Sequence, residues 1–250
     1  MNVPALQCMH GHENGCESRQ ADPTAYRVQR WDGRSRFGTL ATILVLMLLG
    51  VYPAFPDTAG WKDADLQSYG QGDWPGSAGT NLLYANYDSI YASSAGIVEV
   101  GIPGSAGFSM RFETPSAVLA YLPASGTAGP LTAGVFDPTT SSSGIFGGQV
   151  LALRLNIDFS DAGALSGHSG VQFGDVTLCG FSNDPTFGDL PGLNGMSVRQ
   201  FSTMVNTLLG GGSATYSISQ LSPITDAING AFAGGVSTFA QQHLVNGPCP

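Results

Sequence analysis

Gly148-Gln-Val-Leu-Ala-Leu-Arg-Leu-Asn-Ile-Asp-Phe159 admits two readings, and the fold depends on which is correct. Leu151, Leu153, Leu155, Ile157 and Phe159 alternate strictly, as the inner face of a half-buried strand does. Phe146, Val150, Leu153 and Ile157 equally recur at helical spacing. The length of the run and the serines before it, Ser141 to Ser143, which could cap a helix, favour the helix but leave the strand open. The segment closes a longer apolar stretch, 112 to 163 (FETPSAVLAYLPASGTAGPLTAGVFDPTTSSSGIFGGQVLALRLNIDFSDAG). Its start is clearer. Thr114-Pro115 reads as an N-cap with proline at the first helical position, where a missing N–H is harmless. Val118, Leu119 and Leu122 give that helix its apolar face, and Pro123 ends it. A Gly/Ala/Thr/Pro-rich loop, 124 to 143, links the two segments.

Upstream lies a hairpin signal. Val98, Val100 and Ile102 alternate with Glu99 and Gly101; Phe108, Met110 and Phe112 alternate with Ser109, Arg111 and Glu113. The loop Pro-Gly-Ser-Ala-Gly, 103 to 107, joins the strands, and its glycines suit a turn better than a phosphate loop. Placing Ile102 opposite Phe108 sets Glu99 against Arg111. Downstream, Phe173 to Cys179 reads as a short strand. Ser197-Val-Arg-Gln-Phe-Ser-Thr-Met-Val-Asn-Thr-Leu-Leu-Gly210 then aligns with Ser217-Ile-Ser-Gln-Leu-Ser-Pro-Ile-Thr-Asp-Ala-Ile-Asn-Gly230. Each copy opens on Ser-x-x-Gln, a capping box, and closes on glycine. Val198, Phe201, Val205 and Leu208 line one face of the first copy; Ile218, Leu221, Ile224 and Ile228 line the second, where Pro223 is expected to kink or delay the helix. A short helix over about 238 to 244 precedes Cys249. The fold class these signals imply is α+β: a β-hairpin or small antiparallel sheet packed with several helices and a C-terminal duplicated helix pair, repeat 197–233.

The first sixty residues have a different character. Arg27, Arg30, Arg34 and Arg36 precede the apolar run from Leu40 to Val51, and small residues follow at Ala54 and at Thr58-Ala59-Gly60. That order is a signal peptide's, and the run is nearer a dozen residues than the ~20 a membrane span needs. The expected division is an N-terminal extension (1–36), a hydrophobic and cleavage region (37–60), and a single secreted domain (61–250) with its mature start between Phe55 and Trp61. A start of translation near Val28 would leave the first residues unmade. Cys8, His10, His12 and Cys16 lie there, and their spacing fits no common zinc finger.

Composition agrees with export. Charged residues are only 11% and glycines number 35, so Ser, Thr, Asn, Gln, Gly and Ala must build much of the surface. Beyond the apolar run the basic residues are Lys62, Arg111, Arg154 and Arg199, and the net charge of −9 repels nucleic-acid backbones. Cys179 and Cys249 are the cysteines that follow the run, and an oxidising compartment would pair them.

Candidate chemistry is sparse. Trp61, Tyr69, Trp74, Tyr84 and Tyr87 could stack on sugar rings or simply pack inward, as most aromatics do. Gly167-His168-Ser169-Gly170 lacks the strand–turn–helix context of a hydrolase elbow, and Asp184 and Asp189 are too irregular for a calcium loop. Tyr69-Gly-Gln-Gly-Asp-Trp-Pro75, Leu122-Pro-Ala-Ser-Gly126, 147 to 156 (GGQVLALRLN) and the Ser-Val-Arg-Gln helix together resemble an uncharacterised domain of exported bacterial proteins, one associated with surface-anchored or repeat-containing extracellular polypeptides. The resemblance covers about 66 to 244 and implies secretion and surface association without a catalytic activity. The twin helices are also similar to dockerin modules, but the Asp/Asn-rich calcium loop those require is missing from both. The leading expectation is a non-enzymatic secreted or cell-surface protein with a structural or adhesive role. Its partners would be cell-surface polymers or other extracellular proteins, with no cofactor, no metal, no nucleic acid, and membrane contact only through the signal segment. The alternatives are a carbohydrate-binding module using the five aromatics, or a hydrolase using Asp158, Asp161 or His168.

Overall fold

The run from Gly148 to Phe159 is helical. The computed structural model describes residues 60–165 and 167–250, so the basic segment, the hydrophobic run and the Cys8–Cys16 cluster lie outside the described residues. Helix α3 spans Ile145–Asp161, and Phe146, Val150, Leu151, Ala152, Leu153, Leu155, Ile157 and Phe159 are all buried along it. Burial on nearly every side explains why strand-like and helix-like apolar periods coexist in the sequence. Each such Leu or Phe stabilises the fold by roughly 1.5–3 kcal/mol. The serines do not cap it. Gly144, with φ 54° and ψ −140°, holds the N-cap position and supplies no side-chain cap. Ser141 and Ser143 instead bond each other at 2.6 Å, and Ser141 bonds the Tyr121 hydroxyl at 2.8 Å. A β-carbon at Gly148 would collide with Gln71 Oε1 and Ala124, so glycine here lets the flanking chain approach the helix closely.

Helix α1 (Ser77–Tyr91) precedes a hairpin of β1 (Val98–Gly101) and β2 (Ser109–Phe112). The register pairs Val98 with Phe112, Glu99 with Arg111 and Val100 with Met110, as the alternation implied. Helix α2 (Pro115–Tyr121) begins on Thr114, whose side chain accepts from the Ala117 N–H. The glycine-rich loop then contributes β3 (Val135–Phe136), which pairs parallel to β2, Met110 beside Val135 and Arg111 beside Phe136. The sheet order is therefore β1-β2-β3, the antiparallel hairpin extended by a short parallel strand.

Two further strands, β4 (Thr177–Leu178) and β5 (Leu244–Val245), pair antiparallel. Between them come α4 (Val198–Leu209), α5 (Ile218–Asn229) and α6 (Thr238–His243). Both repeat helices carry complete capping boxes, Ser197 with Gln200 and Ser217 with Gln220. Pro223 sits inside α5, which starts at Ile218 without delay. Both helices pack on α3, and α4 also lies against β1. A seam of amides joins α3 to α5: Asn156 Nδ2 donates to Asn229 Oδ1, and Asn229 Nδ2 donates to the Gln149 carbonyl. Cys179 and Cys249 form a disulfide with Cα atoms 5.6 Å apart. The architecture is thus α+β. No helix among the described residues is long and apolar enough to cross a membrane.

Candidate functional site

The outer face of the three-stranded sheet carries a groove of about 480 Å³, lined by Ser105, Phe108, Ser109, Arg111, Gly134 and Phe136 among others. Strand alternation generates it. Val98, Val100, Met110 and Phe112 point to the core, so Glu99, Arg111 and Ser109 point away from it. Register aligns Glu99, Arg111 and Phe136 in one row across the sheet. The neighbouring row joins Gly101 to Ser109, with Gly134 beside them. Gly134 lines the groove together with Gly104 and Gly107 of the hairpin loop. Gly101 is fixed by sterics, since its φ is 101° and a β-carbon would meet Phe108 O at 2.5 Å. Gly134 is different: the nearest atom to an added β-carbon would be Ser109 O at 3.8 Å, so this position can take a side chain.

Phe108 and Phe136 are 40% and 51% exposed, two of the few large apolar side chains open to solvent. Phe108 departs from the sequence expectation, which set it on the core face with Met110 and Phe112. Phe108 lies just before β2: its carbonyl still accepts from the Ile102 N–H at 2.8 Å, but its own N–H donates to Gly210 O at 3.0 Å. Arg111 Nε donates to Glu99 Oε1 at 2.8 Å, and Ser109 Oγ donates to the same oxygen at 2.6 Å. Burial alone would raise the Glu99 carboxyl, but these hydrogen bonds and the Arg111 charge outweigh it and hold the group below its ordinary value. The pair therefore stays ionised and its charges cancel.

The five aromatics proposed from sequence do not gather into a ligand platform. Trp74 and Tyr87 are fully buried and Trp61 is 9% exposed. Trp61 packs edge-on against Phe232, and its Nε1 donates to Leu244 O at 2.7 Å. Tyr69 is half-buried against Trp74, with ring centres 5.1 Å apart. The Tyr87 hydroxyl donates to Phe112 O, and burial pushes it up to about 12. Tyr84 alone is open, bonded to Ser116 Oγ at 2.8 Å. The reason is helical: α1 buries Gly79, Leu83, Tyr87 and Tyr91 along one stripe and leaves Tyr84 on the other side.

The residues considered for hydrolysis are also held in other contacts. Asp158 pairs with Arg154 at 2.6 Å, one helical turn away, and Asp161 pairs with Arg199 at 2.7 Å. His168 lies on an exposed loop with Nδ1 3.0 Å from Ala64 O. A second histidine is more enclosed. His243 Nδ1 lies 3.1 Å from Cys179 O, and Nε2 lies 3.5 Å from Asp184 Oδ2. Phe181, Phe187 and Phe239 surround the ring. Both nitrogens face protein oxygens, so neither is presented to a substrate, and the arrangement anchors α6 to the loop after β4. Among the described residues no group of three or more His, Cys, Asp or Glu side chains could hold a metal ion. No family model, curated protein or solved structure matches the chain.

Proposed function

We propose that this protein is a non-enzymatic secreted or cell-surface module with a structural and adhesive role, and that it adheres through the groove on the outer face of the β1-β2-β3 sheet. The observation that carries the reading is a glycine-rich groove lined by the exposed Phe108 and Phe136 and by Arg111, whose charge is balanced by Glu99 beside it. Binding sites combine apolar walls with a few placed polar groups, and about 480 Å³ falls within their usual size. Export is supported by the Cys179–Cys249 disulfide, which persists in oxidising compartments, and by the basic-then-apolar order of residues 27 to 51. The resemblance to exported bacterial surface domains belongs to the same proposal. A non-catalytic role is favoured because Asp158, Asp161 and His243 are all engaged in contacts that hold elements together.

Gly134 supplies the test, because a β-carbon there meets no atom closer than 3.8 Å and a leucine adds bulk to the groove lining. Beads coated with the wild-type chain should be retained on immobilised bacterial cell envelopes. Gly134→Leu should lower retention several-fold at unchanged melting temperature. Equal retention of both proteins, or none by the wild type, would overturn the groove as the adhesive surface.

A further inference from the structure

We infer that the groove takes a neutral glycan, its sugar rings lying against Phe108 and Phe136 and its hydroxyls read by Arg111 and by Glu99 beside it on the same row of the sheet; the inference rests on the adhesive reading of the same groove. The hydrogen-bonding inventory points to hydroxyl groups. Arg111 uses Nε on Glu99, and Nη1 and Nη2 make no hydrogen bond to the described residues. Glu99 receives both its partners on Oε1, so Oε2 remains an open acceptor. Donors and an acceptor thus stand side by side on one row of the sheet. Adjacent hydroxyls, each able to give and accept a hydrogen bond, satisfy that set together.

Charge decides between neutral and acidic sugars. Glu99 cancels Arg111 at 2.8 Å, so the groove offers no net positive field. The chain as a whole carries −9, which repels a polyanion. A carboxylated or sulfated ligand would also have to compete with Glu99 for the guanidinium. Phe136 stands next to Arg111 in register, and the face of its phenyl ring is electronegative. The polarised C–H edges of a pyranose suit that face. Phe108, 40% exposed, also lines the groove.

Affinity electrophoresis of the full chain tests this directly, with gels containing laminarin, dextran, galactomannan or xyloglucan and, for comparison, alginate or hyaluronan. At least one neutral polysaccharide should retard the wild type. Gly134→Leu and Phe136→Ala should each weaken that retardation about tenfold or more, as removal of a central contact does. Tyr84→Ala, which alters an exposed aromatic outside the groove, should not. A melting curve on each variant separates lost binding from lost folding, and Phe136→Ala removes an exposed ring instead of adding volume. Retardation by the acidic polymers alone, or retardation that survives both groove variants, would overturn the inference. If the neutral polysaccharides fail while Gly134→Leu still abolishes bead retention, the glycan assignment falls and the adhesive groove stands. If retention fails as well, both fall.

Discussion

Asn156 is fully buried, yet its side chain has good hydrogen bonds on all sides. Its Oδ1 accepts from the Tyr69 N–H at 2.8 Å, and Nδ2 donates to Tyr69 O at 2.8 Å and Asn229 Oδ1 at 3.1 Å. Asn229 continues the chain to Gln149, whose Nε2 reaches Asp226 Oδ1 at 2.7 Å. One side chain thereby fixes the segment before Trp74 to two helices. Asn156→Leu keeps the branch at Cγ, with somewhat more bulk, but strands the two backbone groups of Tyr69. Since each orphaned buried group costs about 1–3 kcal/mol, the expected loss is about 3 kcal/mol or more, read as a lower urea midpoint at unchanged slope. Glu99 makes a pH-dependent contribution. The folded carboxyl binds its proton less readily than the unfolded one, so its stabilisation is present above about pH 4.5 and is lost as pH falls through the folded value. Partly exposed as it is, the contribution should stay below about 1 kcal/mol. Melting temperatures of wild type and Glu99→Gln should differ most near neutrality and converge as pH falls through the folded value of the carboxyl. A difference that persists unchanged into acid would show that the ion pair is not its source.

Among the elements, legibility in the sequence followed geometry. Helices α4 and α5 were readable because each has one apolar stripe, a Ser-x-x-Gln start and a closing glycine. The β1–β2 register was readable because its two faces differ in polarity. Helix α3 was ambiguous because a helix buried all round carries no polar face to reveal its period. Helix α1 was missed: it has no side-chain cap, and its buried stripe includes Gly79. Strand β3 is two residues long and exists only by pairing with β2, so Gly134-Val135-Phe136 showed no sign of half the groove wall. The candidate site was therefore only partly visible, as the polar face of a hairpin. The capping boxes carry a quantitative expectation. Ser197→Ala and Ser217→Ala should each destabilise by about 1 kcal/mol and add nearly independently in the double variant. A negligible effect of either would mean that tertiary packing alone sets that helix start.

At the scale of the whole domain, the C-terminal tail is held by several independent ties. The disulfide joins the residue after β4 to the chain end across a separation of 70 residues. Trp61 Nε1 bonds Leu244 O, and Gln241 Nε2 bonds Trp61 O at 2.7 Å, which fastens the first described residues to the same corner. On the chain-entropy model, closing so long a loop stabilises by about 4 kcal/mol. Replacing both cysteines by alanine should lower stability by a comparable amount, and an unchanged unfolding midpoint under oxidising conditions would refute this. The central claim, however, concerns the face of the sheet. Its most direct measurement is an amide chemical-shift map of the ¹⁵N-labelled full chain titrated with a solubilised bacterial envelope polysaccharide. Shifts should concentrate at Gly107, Phe108, Ser109, Arg111, Gly134 and Phe136, and should disappear in Gly134→Leu. Shifts centred instead on Tyr84 and the exposed side of α1, with the groove amides unmoved, would contradict it.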